Sequence, residues 1–324
     1  MTTTPRPRVL LTRRWPEAAE RAARAAFDVT VDTADRPLSA QAMAEALRAF
    51  DAVAPTVSDP VTRGMFAGAR ARILANYGVG VSHIDLDAAR AAGVIVTNTP
   101  GVLTECTADL AIALMLAAAR RLGEGERELR AGRWSGWRPT HMIGVRLSGR
   151  TLGVVGFGRI GQAVARRAHH GFGMAVIFHA RSPVDPGLAA ALGARPAASL
   201  DALLGEADVV SLHVPGGEAN RRLIDARRLG LMKPGAILVN TARGEVVDEA
   251  ALAAALASGR LAGAGLDVYE EEPRVHPALL ACENAVLAPH LGSATAATRE
   301  AMGMMALENL RACFEGREPP NRVA

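Results

Sequence analysis

Three short segments carry side chains able to bind a carboxylate and move a proton. Arg243 lies in VNTARGEVVDEAAL, Glu272 in GLDVYEEEP and His290 in LAPHLGSAT. Each sits at the end of a run of small and β-branched residues or in the loop after it, where open α/β sheets place their ligands. An arginine there can fork onto a carboxylate and polarise the carbonyl beside it. A histidine can hand a proton to the developing alkoxide, and a glutamate on the far ring nitrogen would orient the imidazole and favour its charged form. Singly, each has a plainer reading: a surface cation, one acid of a solvated EEE run, a loop histidine. Converging, they make a plausible site for reducing a carbonyl next to a carboxylate.

Reduction needs a hydride donor, and TLGVVGFGRIG points to one. Gly156, Gly158 and Gly161 stand in GxGxxG spacing, after a strand and before a helix begun by Arg159 and Ile160. In that setting the glycines allow a tight turn, close approach to a pyrophosphate and close helix–strand packing, with the helix N-terminus facing the anion. The acid expected roughly twenty residues on, which would bind the ribose 2′-hydroxyl of NAD, is missing. The next strand, MAVIFHARS, ends instead in Arg181 and Ser182. An arginine can pair with a 2′-phosphate and a serine can donate to it, so NADPH is expected over NADH. In the competing reading, Arg181 only covers the adenine face of NAD.

These residues need a scaffold, and the rest of the chain supplies its pattern. At 324 residues two domains are the default expectation. A hydrophobic share of 49%, a charged share of 22% and a mean hydropathy of +0.13 argue against disorder and fibre. The longest apolar run, Leu110 to Ala119, is too short to cross a bilayer, and the polar, proline-containing start does not look like a secretory signal. A cytoplasmic location and no membrane partner are expected. Three scattered cysteines suggest neither disulfides nor a metal site. The net charge of +4 is spread over dispersed arginines, a solvated face rather than a nucleic-acid surface.

Short β-rich runs alternate with Ala-rich helical stretches, which predicts an α/β protein with parallel sheets built from βαβ units. Strands are expected at Arg8–Leu11, Phe27–Val31, Ala52–Val57, Arg72–Ala75 and Val94–Thr97, with helices at Pro16–Ala26, Ser39–Phe50, Thr62–Ala69 and Leu86–Ala92. A flavodoxin-like sheet would then be complete near Asn98. A helix from Thr104 to Arg121 leads to a second series, TLGVVG, IFHA, DVVSLHV, GAILVN and AGAGLDV. Gly292–Gly316 reads as a C-terminal helix.

The ordered motifs GFGRIG, VNTARGEVVDEAAL, LDVYEEEP and PHLGSAT, preceded by YGVGVSHIDLDAARAAGVIVTNTPG, resemble the D-isomer-specific 2-hydroxyacid dehydrogenase family over essentially the whole chain. The resemblance implies two Rossmann/flavodoxin-like domains with the active site in the cleft between them. Residues 1–98 with 291–324 would form a discontinuous substrate domain, and 99–290 the dinucleotide-binding domain. It implies that Arg243, Glu272 and His290 are the catalytic triad, that the Val79 and Gly80 amides hold the substrate carboxylate, and that Asp267 anchors the nicotinamide carboxamide. Val214, Pro215 and Thr241 complete the implied cofactor contacts. Within the family, RAGRWSGWRPTHMIGVRLSGRTLGVVG is similar to the glyoxylate and hydroxypyruvate reductase branch. Trp137 then corresponds to a tryptophan that enters the partner's pocket in a homodimer, and Val57 to an apolar pocket residue. Two departures stand out: Ser82 where Asn or Asp is usual, and GGEANRRL in place of an LTPET run.

The resulting expectation is NADPH-dependent reduction of small 2-oxo acids, glyoxylate and hydroxypyruvate first. One alternative is an NAD-linked dehydrogenase of another substrate, such as 3-phosphoglycerate, although no cation stands within Tyr77–Ser82 for its phosphate. Another is a non-enzymatic, dinucleotide-sensing corepressor, a class that carries long disordered tails, whereas only about eight residues follow the last expected helix here.

Overall fold

The computed structural model describes residues 5–324, which fall into two compact units. One comprises the chain up to Leu103 together with Ala294–Ala324, the other Thr104–Ser293. Each is built on an open sheet in which all paired strands are parallel.

In the first unit β1 (Arg8–Leu11), β2 (Asp28–Val31), β3 (Ala52–Ala54), β4 (Ile73–Ala75) and β5 (Ile95–Thr97) are ordered β2-β1-β3-β4-β5. Most of these strands are apolar on both faces because both faces are covered. Val9 and Leu11 pack with Ala19, Ala23, Leu307 and Leu310 on one side, and Leu10, Val53 and Leu74 with Met43 and Leu47 on the other. The Ala40–Ala49 helix starts where the Ser39 hydroxyl accepts from the Ala42 amide, and Leu86–Ala91 where Asp85 accepts from Ala88. The last residues pair with the outer edge of β5: Val323 N donates to Val96 O at 2.8 Å and Val96 N to Ala324 O at 3.0 Å.

In the second unit β6 (Thr151–Val155), β7 (Ala175–His179), β8 (Ala194–Pro196), β9 (Val209–Leu212), β10 (Ala236–Asn240), β11 (Leu261–Leu266) and β12 (Ala285–Leu287) are ordered β12-β11-β10-β9-β6-β7-β8. The order reverses at β6, which pairs with β7 on one side and β9 on the other, so a crevice opens beyond their carboxyl ends. No helix among the described residues is long and apolar enough to cross a membrane.

Four local features differ from the sequence expectation. The outer strands β8 and β12 have only three residues each, and Ala194-Arg195-Pro196 has no strand-like alternation. The Thr62–Ala69 helix is a single 3-10 turn, Arg63–Phe66. The Thr104 helix stops at Ala119, because Arg121 takes a left-handed conformation (φ 54°) and starts a second helix, Leu122–Arg130. β3 stops at Ala54, short of Val57: buried Asp59 accepts from the amide and hydroxyl of Thr56 and from the Thr12 hydroxyl, turning the chain out of the sheet.

Candidate active site

Arg243 is set by the turn that ends β10. Asn240 Oδ1 accepts from Ala242 N at 3.0 Å and its Nδ2 donates to Arg243 O at 2.9 Å, so one buried side chain shapes the whole turn. Arg243 Nη1 donates to Ala242 O at 2.6 Å, and the rest of the half-buried guanidinium has no acceptor among the described residues. Burial lowers its pKa, partly offset by Glu272 and Glu245 nearby. The next residue must be glycine, since a Cβ on Gly244 would run into the Tyr269 carbonyl. That close approach packs the Arg243 turn on the loop bearing Glu272. The loop is held from below as well: Glu249, buried at the start of the Glu249–Ala257 helix, accepts from Glu270 N at 2.6 Å.

Glu272 and His290 form a direct pair, with Nδ1 2.8 Å from Oε2. The other carboxylate oxygen accepts from Tyr269 N at 3.1 Å. Burial works against the charge on Glu272, but the His290 contact, the Tyr269 amide and the Arg243 guanidinium outweigh it and hold the carboxyl below its ordinary range. With Nδ1 committed, His290 Nε2 has no partner among the described residues.

His290 sits in the left-handed region (φ 54°), uncommon for a residue with a side chain. Asp267 holds it there. The His290 amide donates to Asp267 O at 2.9 Å, and the Leu291 and Gly292 amides donate to Asp267 Oδ1 and Oδ2 at 2.6 and 2.8 Å. Thr107 Oγ1 adds a bond to Gly292 O at 2.9 Å. Asp267, 1% exposed, is therefore the strut of the histidine loop, and its burial pushes its pKa up.

A separate crevice of about 520 Å³ opens at the ends of β6, β7 and β9, lined by Gly156, Gly158, Arg181, Ser182, Val214 and Pro215 among others. The Arg159–Phe172 helix begins at its mouth, with first-turn amides that lack intrahelical acceptors. Gly161 lies so close beneath the loop that a Cβ would run into the Gly156 carbonyl. Arg181 and Ser182 are exposed and make no ion pair or hydrogen bond among the described residues. Asp185, the nearby acid, is occupied in capping: it accepts from Gly187 and Leu188 N at 2.6 and 3.1 Å. His213, on the wall, is half-buried, and its desolvation brings its pKa down to about 4 and keeps it neutral beside Ser211 Oγ at 2.8 Å. Within the unusual GGEANRRL segment, Asn220 Nδ2 donates to Pro215 O at 2.8 Å and braces that wall.

The second unit thus gathers Arg243, Glu272 and His290 at the ends of β10, β11 and β12. The glycine loop, Arg181, Ser182, Val214 and Pro215 surround the crevice. Thr241 and Asp267 do not line that crevice but adjoin the triad, and the buried Thr241 Oγ1 lacks a protein partner among the described residues. Trp137 is 82% exposed in an irregular stretch after the Leu122–Arg130 helix. Val57, Val79 and Gly80 belong to the first unit, in the loops after β3 and β4. All three are half-buried, and the Val79 and Gly80 amides have no acceptor among the described residues. Sequence reasoning missed the bracing side chains Asn240, Glu249 and Thr107. Their signals are a lone Asn, Glu or Thr with no motif of its own.

Residues 112–292 match the family model described as D-isomer specific 2-hydroxyacid dehydrogenase, NAD binding domain. The chain is 46% identical over 323 residues to a glyoxylate reductase of Thermococcus onnurineus, covering 98% of this chain and 96% of that protein. Among solved structures it is similar to a D-isomer-specific 2-hydroxyacid dehydrogenase from Polaromonas (TM-score 0.91, 36% identity, 99% of this chain and 100% of that one). It is also similar to an NADPH-dependent glyoxylate/hydroxypyruvate reductase from Sinorhizobium meliloti (TM-score 0.85, 36% identity, 98% and 97% covered).

Proposed function

The chain belongs to the D-isomer-specific 2-hydroxyacid dehydrogenase family, and on that premise we propose that it reduces small 2-oxo acids, glyoxylate and hydroxypyruvate first, with NADPH. The observation that carries the reading is the His290–Glu272 pair at 2.8 Å, with His290 Nε2 and all but one hydrogen bond of the Arg243 guanidinium unused among the described residues. The 46% identity to a glyoxylate reductase over nearly the full length of both chains supports the substrate class. Similarity to an NADPH-dependent reductase supports the cofactor, as do the free Arg181 and Ser182.

The crevice suits a dinucleotide: the glycine loop and helix start would take its pyrophosphate and Arg181 and Ser182 its 2′-phosphate, while Thr241 and Asp267, outside the crevice and beside the triad, would take the carboxamide end. When bound, NADPH supplies the hydride. The protein's own groups do the rest. The Val79 and Gly80 amides receive the substrate carboxylate, and Val57 limits the space beside it. Arg243 forks onto carboxylate and carbonyl and steadies the negative charge growing on oxygen. His290 Nε2 gives that oxygen its proton, while Glu272 accepts from Nδ1 and balances the imidazolium. An exposed apolar set, Leu122, Leu129, Trp134, Trp137 and Ile143, supports a homodimer in which this stretch meets a second copy.

Assays of wild type with a panel of 2-oxo acids, using NADPH and NADH separately, test the reading. Fast turnover of glyoxylate and hydroxypyruvate with NADPH is expected; no turnover of either would overturn it. Arg181→Ala should raise the KM for NADPH roughly ten- to a hundredfold, the equivalent of about 1.5–3 kcal/mol for a lost charge-assisted contact, and change NADH little. Equal use of both cofactors by wild type would contradict that assignment.

Glu272→Gln acts on the pH profile. Glu272 is held ionised below the ordinary carboxyl range, so its negative charge is present throughout the neutral region and is lost only as pH falls through the lowered value. Without that charge the protonated imidazole loses its balance, so the alkaline limb of the reduction rate should move to lower pH. An unchanged limb in the variant would separate Glu272 from proton delivery.

A further inference from the structure

The loop after β4 presents two free amides because its carbonyls are held elsewhere. Gly78 O accepts from Asn76 Nδ2 and from Thr99 N, both at 3.0 Å. Val79 O accepts from Asn98 Nδ2 at 2.8 Å, and Gly80 O from Asn76 Nδ2 at 3.0 Å. Three successive carbonyls thus face side-chain or main-chain N–H groups. Asn76, 1% exposed, spends both faces of its amide here, since its Oδ1 lies 3.1 Å from His83 Nε2. Asn98 is braced in turn. Its N–H donates to Asn321 O at 3.1 Å, and its carbonyl accepts from Asn309 Nδ2 at 3.3 Å, Asn309 being wholly buried on the Ala296–Phe314 helix.

A peptide unit is a dipole, so holding its oxygen on one side sends its N–H to the other. The Gly78 carbonyl belongs to the peptide whose N–H is Val79's, and the Val79 carbonyl to the peptide whose N–H is Gly80's. Both amides are without an acceptor among the described residues, as is that of Val81, whose peptide carries the Gly80 carbonyl. Left unheld, either peptide could rotate its oxygen toward an anion and repel it. Held, the pair forms a preorganised concavity of N–H groups.

We propose that Asn76 and Asn98 are positioning residues for 2-oxo acid binding, clamping the carbonyls of Gly78, Val79 and Gly80 so that the Val79 and Gly80 amides stay turned toward the substrate carboxylate. The inference rests on the assignment of that carboxylate to those two amides under the proposed function. Residue type follows from the chemistry: two carbonyls must be reached from position 76, and an NH2 group offers two donors where a hydroxyl offers one and a carboxylate none.

Asn98→Asp and Asn76→Asp keep shape but turn a donor into an acceptor facing a carbonyl. The KM for glyoxylate and the inhibition constant for oxamate, a non-reducible carboxylate analogue, should each rise about ten- to a hundredfold. The KM for NADPH should stay within about twofold, and kcat at saturating glyoxylate should fall much less than kcat/KM. Because burying a charge at 76 can unfold the unit, Asn98→Ala is measured beside it with a melting curve, and a folded Asn98→Ala protein should show the same split. Unchanged KM and oxamate inhibition in the folded Asn98 variants, or a loss of kcat with KM intact, would overturn the clamp. A wild type that neither reduces glyoxylate nor binds oxamate would instead overturn the functional reading, and the clamp with it.

Discussion

His290→Ala lowers kcat for glyoxylate reduction by about a hundred- to ten-thousandfold and leaves NADPH binding, read by fluorescence, nearly intact. The magnitude is that of a lost general acid. The selectivity comes from position: His290 stands at the loop after β12, while the crevice walls come from the ends of β6, β7 and β9. The imidazole does not hold up its own loop, because that loop hangs on the Asp267 carboxylate through the Leu291 and Gly292 amides and on Thr107 through the Gly292 carbonyl. Truncation therefore removes the proton donor without dismantling the strut. Near-normal reduction by this variant would show that the proton comes from elsewhere.

Arg243→Ala lowers kcat by about a hundred- to a thousandfold, the range for deleting one preorganised donor to a developing oxyanion, and raises KM as well. Arg243→Lys should recover only part of both. The charge survives, but a lysine is a point donor and cannot reproduce two parallel bonds to a carboxylate. The arginine's backbone is fixed by Asn240 and by the approach of Gly244 to Tyr269, so the side chain can be changed with the turn intact. A lysine variant with wild-type kcat and KM would mean that the fork is not used.

Motifs that combine a strand, a turn and a chemically loaded residue were legible in the sequence. The parallel sheets followed from β-rich runs alternating with helical stretches, and the glycine loop from its place between β6 and the Arg159–Phe172 helix. Arg243, Glu272 and His290 stood out because each closes an apolar run with a polar turn. Less visible was whatever depends on neighbours far apart in the chain. Asp267 reads as a candidate cofactor contact, but its bracing role, accepting from amides more than twenty residues on, depends on the adjacency of β11 and β12 and could not be read from the motif. Asn76 and Asn98 look like ordinary loop asparagines until β4 and β5 are paired. The strands β8 and β12 are too short for period-two alternation to register, and the break at Arg121 rests on a left-handed residue that an arginine does not advertise. Trp137, 82% exposed, has no role within one copy of the chain and would gain one only in the proposed homodimer.

The central claim, hydride delivery to the carbonyl carbon of a 2-oxo acid with the proton supplied by the protein, is tested most directly by isotope placement. Wild-type enzyme is given glyoxylate and NADPH deuterated at both C4 positions, and the glycolate formed is examined by mass spectrometry and proton NMR. The mechanism predicts glycolate carrying one deuterium, at C2, in every molecule formed, because the hydride goes to carbon while the His290 proton goes to oxygen and exchanges with water. Glycolate without deuterium at C2, or no glycolate at all, would contradict it.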